Sequence, residues 1–544
     1  MGYKKLTYTL IIILSLIIMG FTNDIYFQIS KSFEIFSSIY RLVLENYVLK
    51  IDTETMFRSG IDGMLKSLDP YTEYYDEADT EDLEYLASGA YTGLGISVST
   101  IDSQLTITRV LENYPAYNSG IRVGDRIYKI DTNIVLNISS EDLRKYTKGE
   151  QGSKLTMLVI NTLNDTSSHI ITREIIQTDN ISIAEVLDSN VAYIKLDKFT
   201  RTSASDVKQT IYTLRKGNNL QGLILDLRDN PGGLLDAAIK ICELFLPENS
   251  LVVTTKRRDN EKIGEYTTFN KPLEPDIPLC ILINENSASA SEIVAGAIQD
   301  YDRGVIVGKK SFGKGLVQSI FDVPYNGHIK MTTSKYYTPS GRCIQRLGFA
   351  EKYQNKFVKN TEDTIQYTTK NGRKVYDLTG ILPDSIINED YDCPLLVDFL
   401  DNSLFFKFAN DYVKKYPVSK ADLFNKDDEL FGLFQKFVAK SDIKYTNNLI
   451  KAFNETSQEL EKNKLNKQSI EELKKLENNV KSYLINNLGD YKELLLQFIK
   501  YELYIRVLNE NDVRKILIKN DPTVIKSVNM LTNKSYKKLL SPLY

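Results

Sequence analysis

Histidine is almost missing from this chain. Its 544 residues include two, His169 and His328, and neither stands in a recognisable triad pattern. A hydrolase built on serine, histidine and an acid is disfavoured, and a serine nucleophile here needs a different base. Cysteine is sparse as well: Cys242, Cys280, Cys343 and Cys393 are widely spaced, with no C-x-x-C pair. That spacing excludes a zinc framework, and with two isolated histidines a metallohydrolase lacks its ligands. Cys242 and Cys280 lie in apolar runs and read as small buried hydrophobes. Neither sign of charge is in excess, since 68 Lys and Arg stand against 71 Asp and Glu. Nucleic acid is excluded as an electrostatic partner.

Near the N-terminus an apolar run, Leu6–Phe21, follows Lys4 and Lys5. Positive charge ahead of an apolar core is an export signal. The run is short for a spanning helix, which needs about 20 residues, but lysines can snorkel to the interface. No A-x-A cleavage site follows it, and no cysteine is there to take lipid. Residues 1–27 are expected to be a signal anchor, with a cleaved signal peptide as the alternative. The lysines stay inside and the remainder faces outward. The chain is then exported: held at the periplasmic face of the cytoplasmic membrane if anchored, periplasmic or extracellular if cleaved.

A chain of this length exceeds one core, and about three or four domains are expected. Residues 28–88 read as helical, with Phe33, Phe36, Ile39, Leu42 and Val43 near helical spacing and a helix ending at Asp69-Pro70. Residues 89–178 read as a small β module of short strands separated by Gly-, Asn- and Asp-rich turns. Residues 179–390 alternate strand and helix, which indicates a partly parallel sheet. A Lys-, Asn- and Thr-rich insertion near 350–372 reads as a surface excursion. Residues 391–544 read as helical and carry no chemical motif. The fold class is multidomain α+β: an α/β core with an inserted β module, flanked by helical segments at both ends.

The chemistry concentrates between Asn284 and Gln318. Ser287, Ser289 and Ser291 lie on a strand-to-helix turn, where a hydroxyl points outward and backbone N–H groups are unpaired. Such groups can hold an oxyanion, although a plain serine N-cap has the same signature. Lys314 follows between Gly313 and Gly315. An alkylamine of pKa about 10.4 is a poor base in water, but burial away from solvent lowers that value. A neutral lysine can then take a serine proton. Gln318, four residues on, can orient it without adding charge. Asp226-Leu227-Arg228-Asp229-Asn230-Pro231-Gly232-Gly233 is a tight strand-to-helix turn that exposes N–H groups. In the β module, Gly93-Leu94-Gly95-Ile96 leads into a strand. It can offer N–H groups to a terminal carboxylate while the strand accepts a peptide by β-addition.

These motifs, with Phe312-Gly313-Lys314-Gly315 and Tyr337-Thr338-Pro339-Ser340-Gly341, resemble those of the carboxyl-terminal processing peptidases, the Ser-Lys peptidases of family S41. The resemblance covers about residues 30–390. It implies a ClpP- or crotonase-like β-α core carrying a PDZ domain, with Ser289 as nucleophile, Lys314 as general base and Gln318 in support. It implies an oxyanion hole from the N–H groups of Ala290 and of Gly232 or Gly233, and a carboxylate loop over Gly93, Leu94, Gly95 and Ile96. Asp300 matches an acidic position of structural character. The implied activity is endoproteolysis of exported proteins near their C-termini, through an acyl-enzyme, with no metal or cofactor. Substrate tails are the implied partners, with an adaptor or a second copy as further options. A silent PDZ scaffold and an amidase acting on cell-wall peptide are the rival readings. Two departures stand out. Glu285-Asn286 replaces small residues before the serines, where it would alter the substrate groove, and Cys343 replaces a serine.

Overall fold

The computed structural model describes residues 25–136, 138–346, 365–377, 379–387, 393–416, 426–445, 448–462 and 467–541. Among them no helix is long and apolar enough to cross a membrane. The apolar run Leu6–Phe21 lies outside them, as does most of the insertion near 350–372. The described end of that insertion is a hairpin, Gln366–Thr368 with Lys374–Tyr376.

The chain divides into two units. Among described residues the first comprises 25–77 and Gln318–Thr332. It holds a helix over 25–46 and a second, Thr53–Lys66, begun by Asp52, whose carboxylate accepts from Glu54 N–H at 3.2 Å. A short strand, Glu73–Tyr75, interrupts the stretch read as helical. It pairs antiparallel with Lys330, Ile329 and His328. Tyr74 and Tyr75 are aromatic strand formers just beyond the helix-breaking Pro70, which explains the switch.

The second unit holds the rest. Its β module runs from a two-strand stem, Ala90–Gly93 with Glu174–Gln177, into a sheet ordered Ile96–Ile101, Gln104–Val110, Arg126–Ile130, Lys154–Ile160 and Thr166–Thr172. Inward-facing residues (Leu105, Ile107, Ile127, Ile130, Leu155, Met157, Val159) fill its core, with a register shift between Ile127 and Lys129 breaking the strict alternation in the middle strand. The helices Pro115–Asn118 and Ser140–Thr147 cover that core, and the Ser139 hydroxyl caps the longer one at Asp142 N–H, 3.0 Å.

The α/β core is a six-strand sheet in the order Ile181–Leu187, Val191–Leu196, Gly222–Asp226, Leu279–Ile283, Val305–Gly308 and Ser385–Ile386. The first pair is antiparallel and the others parallel. Parallel strands are buried on both faces, so they read as continuous apolar runs. One face (Ala192, Ile194, Leu223, Leu225, Ile281, Ile283) packs under the helices Ser203–Arg215, Leu235–Cys242 and Ala290–Asp300. The other (Val191, Tyr193, Ile224, Cys280, Leu282, Val305, Val307) packs against Ile518, Val524, Met530 and Leu531 from the last helices of the chain. The C-terminal helices are thus the second layer of the core sheet. Their remainder, from Leu396–Asp401 to Lys492–Val507, closes on its own aromatic core. There Phe405 stacks on Phe434 and on Phe498, with ring centroids 5.2 and 5.1 Å apart.

Candidate active site

The strand Leu279–Ile283 ends in the turn Asn284–Ser289 and the helix Ala290–Asp300. The three serines there have different fates. Ser287 is buried, its hydroxyl donating to Leu227 O (2.8 Å) and accepting from Asn284 N–H (2.9 Å). Ser291 is buried too, donating to Asn230 O at 2.9 Å. Both hydroxyls knit the serine turn to the Asp226–Gly233 turn. Ser289 alone of the three is partly exposed. Its backbone sits at φ 55°, ψ −113°, a region that costs a residue with a side chain about 1–3 kcal/mol and clusters at functional sites.

Beside it lies the turn after the strand Gly222–Asp226. Asn230 organises this turn: its amide donates to Leu196 O (2.7 Å), and its Oδ1 accepts from Gly232 N–H (2.9 Å). Gly232, at φ 104°, lies so close to the serine turn that a Cβ there would sit 2.9 Å from Ala290 N and from Ser289 Cβ. The N–H groups of Ala290 and Gly233 donate to no described group, so two donors remain next to Ser289. The Gly232 N–H, offered by the sequence as an equal alternative, is already spent on Asn230. A brace links the two turns further: Asp229 Oδ1 accepts from the Asn284 and Asn286 amides at 2.8 and 2.9 Å. Asn286, one of the departures in the motif, is thus a strut between these turns.

The loop that carries Lys314 is tied to the serine turn through its backbone. The glycines flanking Lys314 are required, because a Cβ on Gly313 would stand 2.7 Å from Arg346 Cβ, and one on Gly315 2.8 Å from Gln345 N. Glu292 joins the lysine loop to the serine turn. Its Oε2 accepts from Ser289 N–H and from Lys314 N–H, each at 2.9 Å. Its Oε1 accepts from Gly313 N–H (2.7 Å) and the Ser311 hydroxyl (2.5 Å). Glu292 is fully buried, and burial pushes its carboxyl up to about 7, the four donors offsetting part of that cost. The sequence motifs described above do not single out this residue. A glutamate three residues after a helix-starting serine, the spacing at which a carboxylate can turn back onto the cap, was the available signal.

The other expected residues fall in two places. Gln318 belongs to the first unit, where its amide donates to Thr332 Oγ1 at 3.2 Å. Asp300 is buried and structural: it accepts from Arg342 (2.8 Å) and from Ser340 N–H (2.9 Å), which pins the Tyr337–Gly341 segment. In the β module the Gly93–Ile96 loop is held by its carbonyls, with Leu94 O accepting from Ala116 N–H (3.0 Å) and Gly95 O from Leu111 N–H (2.8 Å). The N–H groups of Leu94 and Gly95 donate to no described group. The following strand, Ile96–Ile101, is a sheet edge, paired only with Gln104–Val110 among the described strands. Unpaired edges accept added strands.

Comparison with known proteins gives four family matches. Residues 190–354 match peptidase family S41 and 106–161 match a PDZ domain. Residues 395–531 match the C-terminal helical domain of a probable PDZ-protease, and 22–80 match the N-terminal domain of the activating protease CtpB. The chain is 35% identical over 317 residues to a carboxy-terminal-processing protease of Bartonella bacilliformis, covering 58% of this chain and 72% of that one. It is 30% identical over 422 residues to a probable CtpA-like serine protease of Staphylococcus epidermidis, covering 73% and 84%. Among solved structures, it resembles a photosystem II D1 C-terminal processing protease at 22% identity and a TM-score of 0.36, covering 65% of this chain and 92% of that one.

Proposed function

The chain belongs to peptidase family S41, the family of serine-type carboxy-terminal-processing proteases, and from that premise we propose that Ser289 is its nucleophile and Lys314 its general base. The tail of an exported protein lies along the edge strand Ile96–Ile101, its terminal carboxylate on the N–H groups of Leu94 and Gly95. Ser289 Oγ attacks a peptide carbonyl near that tail, and the Lys314 amine takes the proton. The developing oxyanion is held by the N–H groups of Ala290 and Gly233. Lys314 then protonates the leaving amine, and water releases the acyl-enzyme with the same lysine as base. Residues 1–27 carry the chain out of the cytoplasm and hold it at the membrane, so that substrates are met on the outer side.

One observation supports this reading above the others. Of three serines in the turn, Ser289 is the one left partly exposed, on strained backbone, beside two unused N–H donors. The test uses wild type, Ser289→Ala and Lys314→Ala with an unstructured protein whose C-terminus is free or amidated, cleavage being followed by mass spectrometry. Cleavage by wild type alone, faster on the free terminus, is expected. Cleavage by Ser289→Ala sinks the assignment. Release of fragments from peptidoglycan, with protein tails left intact, favours an amidase instead.

A further inference from the structure

The helical region at the C-terminal end carries one carboxylate that reaches the Asp226–Gly233 turn. Asp521 Oδ2 lies 2.7 Å from Arg228 Nη2, and the same Nη2 lies 2.6 Å from Asp226 Oδ2. Asp226 is wholly buried at the end of its strand, where it also accepts from Tyr193 OH at 2.6 Å. Lys195 Nζ donates to Arg228 O at 2.9 Å. Arg228 is followed directly by Asp229, which braces the serine turn, and then by Asn230, Pro231 and the two glycines. One guanidinium therefore fixes the start of this turn to the sheet and to the helical region at once.

We infer that Asp521 is a positioning residue for the oxyanion hole, acting through Arg228, and that the C-terminal helical region sets the geometry of the site in this way. The inference rests on the Ser289 reading above. The strength of the link comes from its sharing: a planar guanidinium bound to two carboxylates has little rotational freedom. The contact is also breakable. Arg228 and Asp521 border a cavity of about 720 Å³, together with Asp229, Asn284 and Asn286, so the arginine has room to leave Asp521 without unfolding. An oxyanion donor must be held within about 0.5 Å to be effective, so a loosened turn is a slower enzyme.

Asp521 also begins the helix Pro522–Thr532, accepting from Thr523 N–H (2.8 Å) and Val524 N–H (3.1 Å). Asparagine caps a helix as well as aspartate does, so Asp521→Asn keeps the cap and removes the charge facing Arg228. The sign of the effect separates two mechanisms. Removing a negative charge near a developing oxyanion would by field alone speed the reaction. A slower reaction therefore reports lost positioning.

The experiment compares full-length wild type with Asp521→Asn and Arg228→Lys. It measures kcat and KM on a free-tailed substrate, inhibition by a peptide aldehyde that forms a tetrahedral adduct, and the unfolding midpoint. We expect kcat to fall about tenfold in Asp521→Asn, aldehyde affinity to fall by a similar factor, and KM and the unfolding midpoint to stay put. Arg228→Lys, which keeps charge but loses the fork, should show the same falls in kcat and aldehyde affinity, with a lower unfolding midpoint because the wholly buried Asp226 loses hydrogen bonds from it. Unchanged kcat and aldehyde affinity in both variants overturns this inference while leaving the Ser289 reading intact. Absence of Ser289-dependent cleavage in wild type overturns both.

Discussion

Ser289 and Lys314 donate their backbone N–H groups to one oxygen, Glu292 Oε2, at 2.9 Å each. The proposed nucleophile and base are thus held by a single buried atom, whatever their side chains do. Every described hydrogen-bond partner of the Glu292 carboxylate is a donor. Glutamine offers one oxygen and turns an NH₂ toward donors, so one side of the junction is lost. Glu292→Gln should reduce kcat by roughly 10²-fold, on the scale of a misplaced oxyanion-hole donor. Binding of a free tail to the PDZ domain should be unchanged, which isothermal titration with a tail peptide would check.

Glu292 also sets a pH dependence. Its neighbours are the Ser289, Gly313 and Lys314 backbones, the Ser311 hydroxyl, and Tyr336, whose OH donates to Ser289 O at 3.2 Å. The ionised carboxylate accepts all four donors, whereas the protonated form sets an O–H against them. Activity should therefore rise as pH climbs through about 7, to which burial has raised this carboxyl. Stability should move the opposite way. A carboxyl whose folded pKa lies above its unfolded value, about 4.3, favours the folded state at low pH, and that contribution is lost as pH rises through about 7. In Glu292→Gln the stability loss over this window should vanish. Unfolding midpoints of both proteins at several pH values decide it, and equal pH dependence would remove Glu292 from the argument.

Much of this was legible beforehand, for physical reasons. The buried parallel strands announce themselves as apolar runs, because both of their faces are covered. The glycines at 232, 233, 313 and 315 mark close backbone approaches that no other residue permits. What was not legible depends on tertiary neighbours. Ser287, Ser289 and Ser291 look alike in one dimension and differ only in whether a carbonyl from the Asp226–Gly233 turn waits opposite. The spending of the Gly232 N–H on Asn230 has the same character. The role of the last helices was hidden because an amphipathic pattern says that one face is buried without saying against what.

The glycines before the core helix Leu235–Cys242 tie the site to the fold, so substitution there should cost both activity and stability. A Cβ on Gly232 would meet Ala288 O at 2.8 Å and Ala290 N at 2.9 Å, pressing on the serine turn itself. Gly232→Ala should lose about 10²-fold or more in kcat, with a strain cost of about 1–3 kcal/mol from its φ of 104°. A Cβ on Gly233 would lie 2.2 Å from Phe199 O, inside the sheet-to-helix junction, at φ 146°. Gly233→Ala should lower stability by about 1–3 kcal/mol or more through strain and the clash, and should lower kcat as well, since its N–H is the proposed oxyanion donor. Paired measurement of kcat and denaturant midpoint checks both, and a fully active Gly232→Ala would exclude that turn from the site.

The second face of the core sheet carries a final consequence. Val191, Tyr193, Ile224, Cys280, Leu282, Val305 and Val307 have, as their described cover, residues from 387 onward, chiefly Ile518, Val524, Met530 and Leu531. Leu531 is buried directly over Gly222, where a Cβ would come within 3.0 Å of its Cδ1. A helical region that merely hung from the protease could be cut away and leave an intact enzyme. A region that forms one of the two layers on the sheet cannot, because its loss exposes a continuous apolar surface. Leu531→Ala should cost about 2–5 kcal/mol, a core-sized loss, whereas an appended domain would leave the protease transition unmoved. Removal of residues 522–544 should give a protein that aggregates or keeps helix without fixed packing. Far- and near-ultraviolet circular dichroism would distinguish these states. A truncated chain with native near-ultraviolet signal and wild-type cleavage would mean that the sheet stands without its second layer.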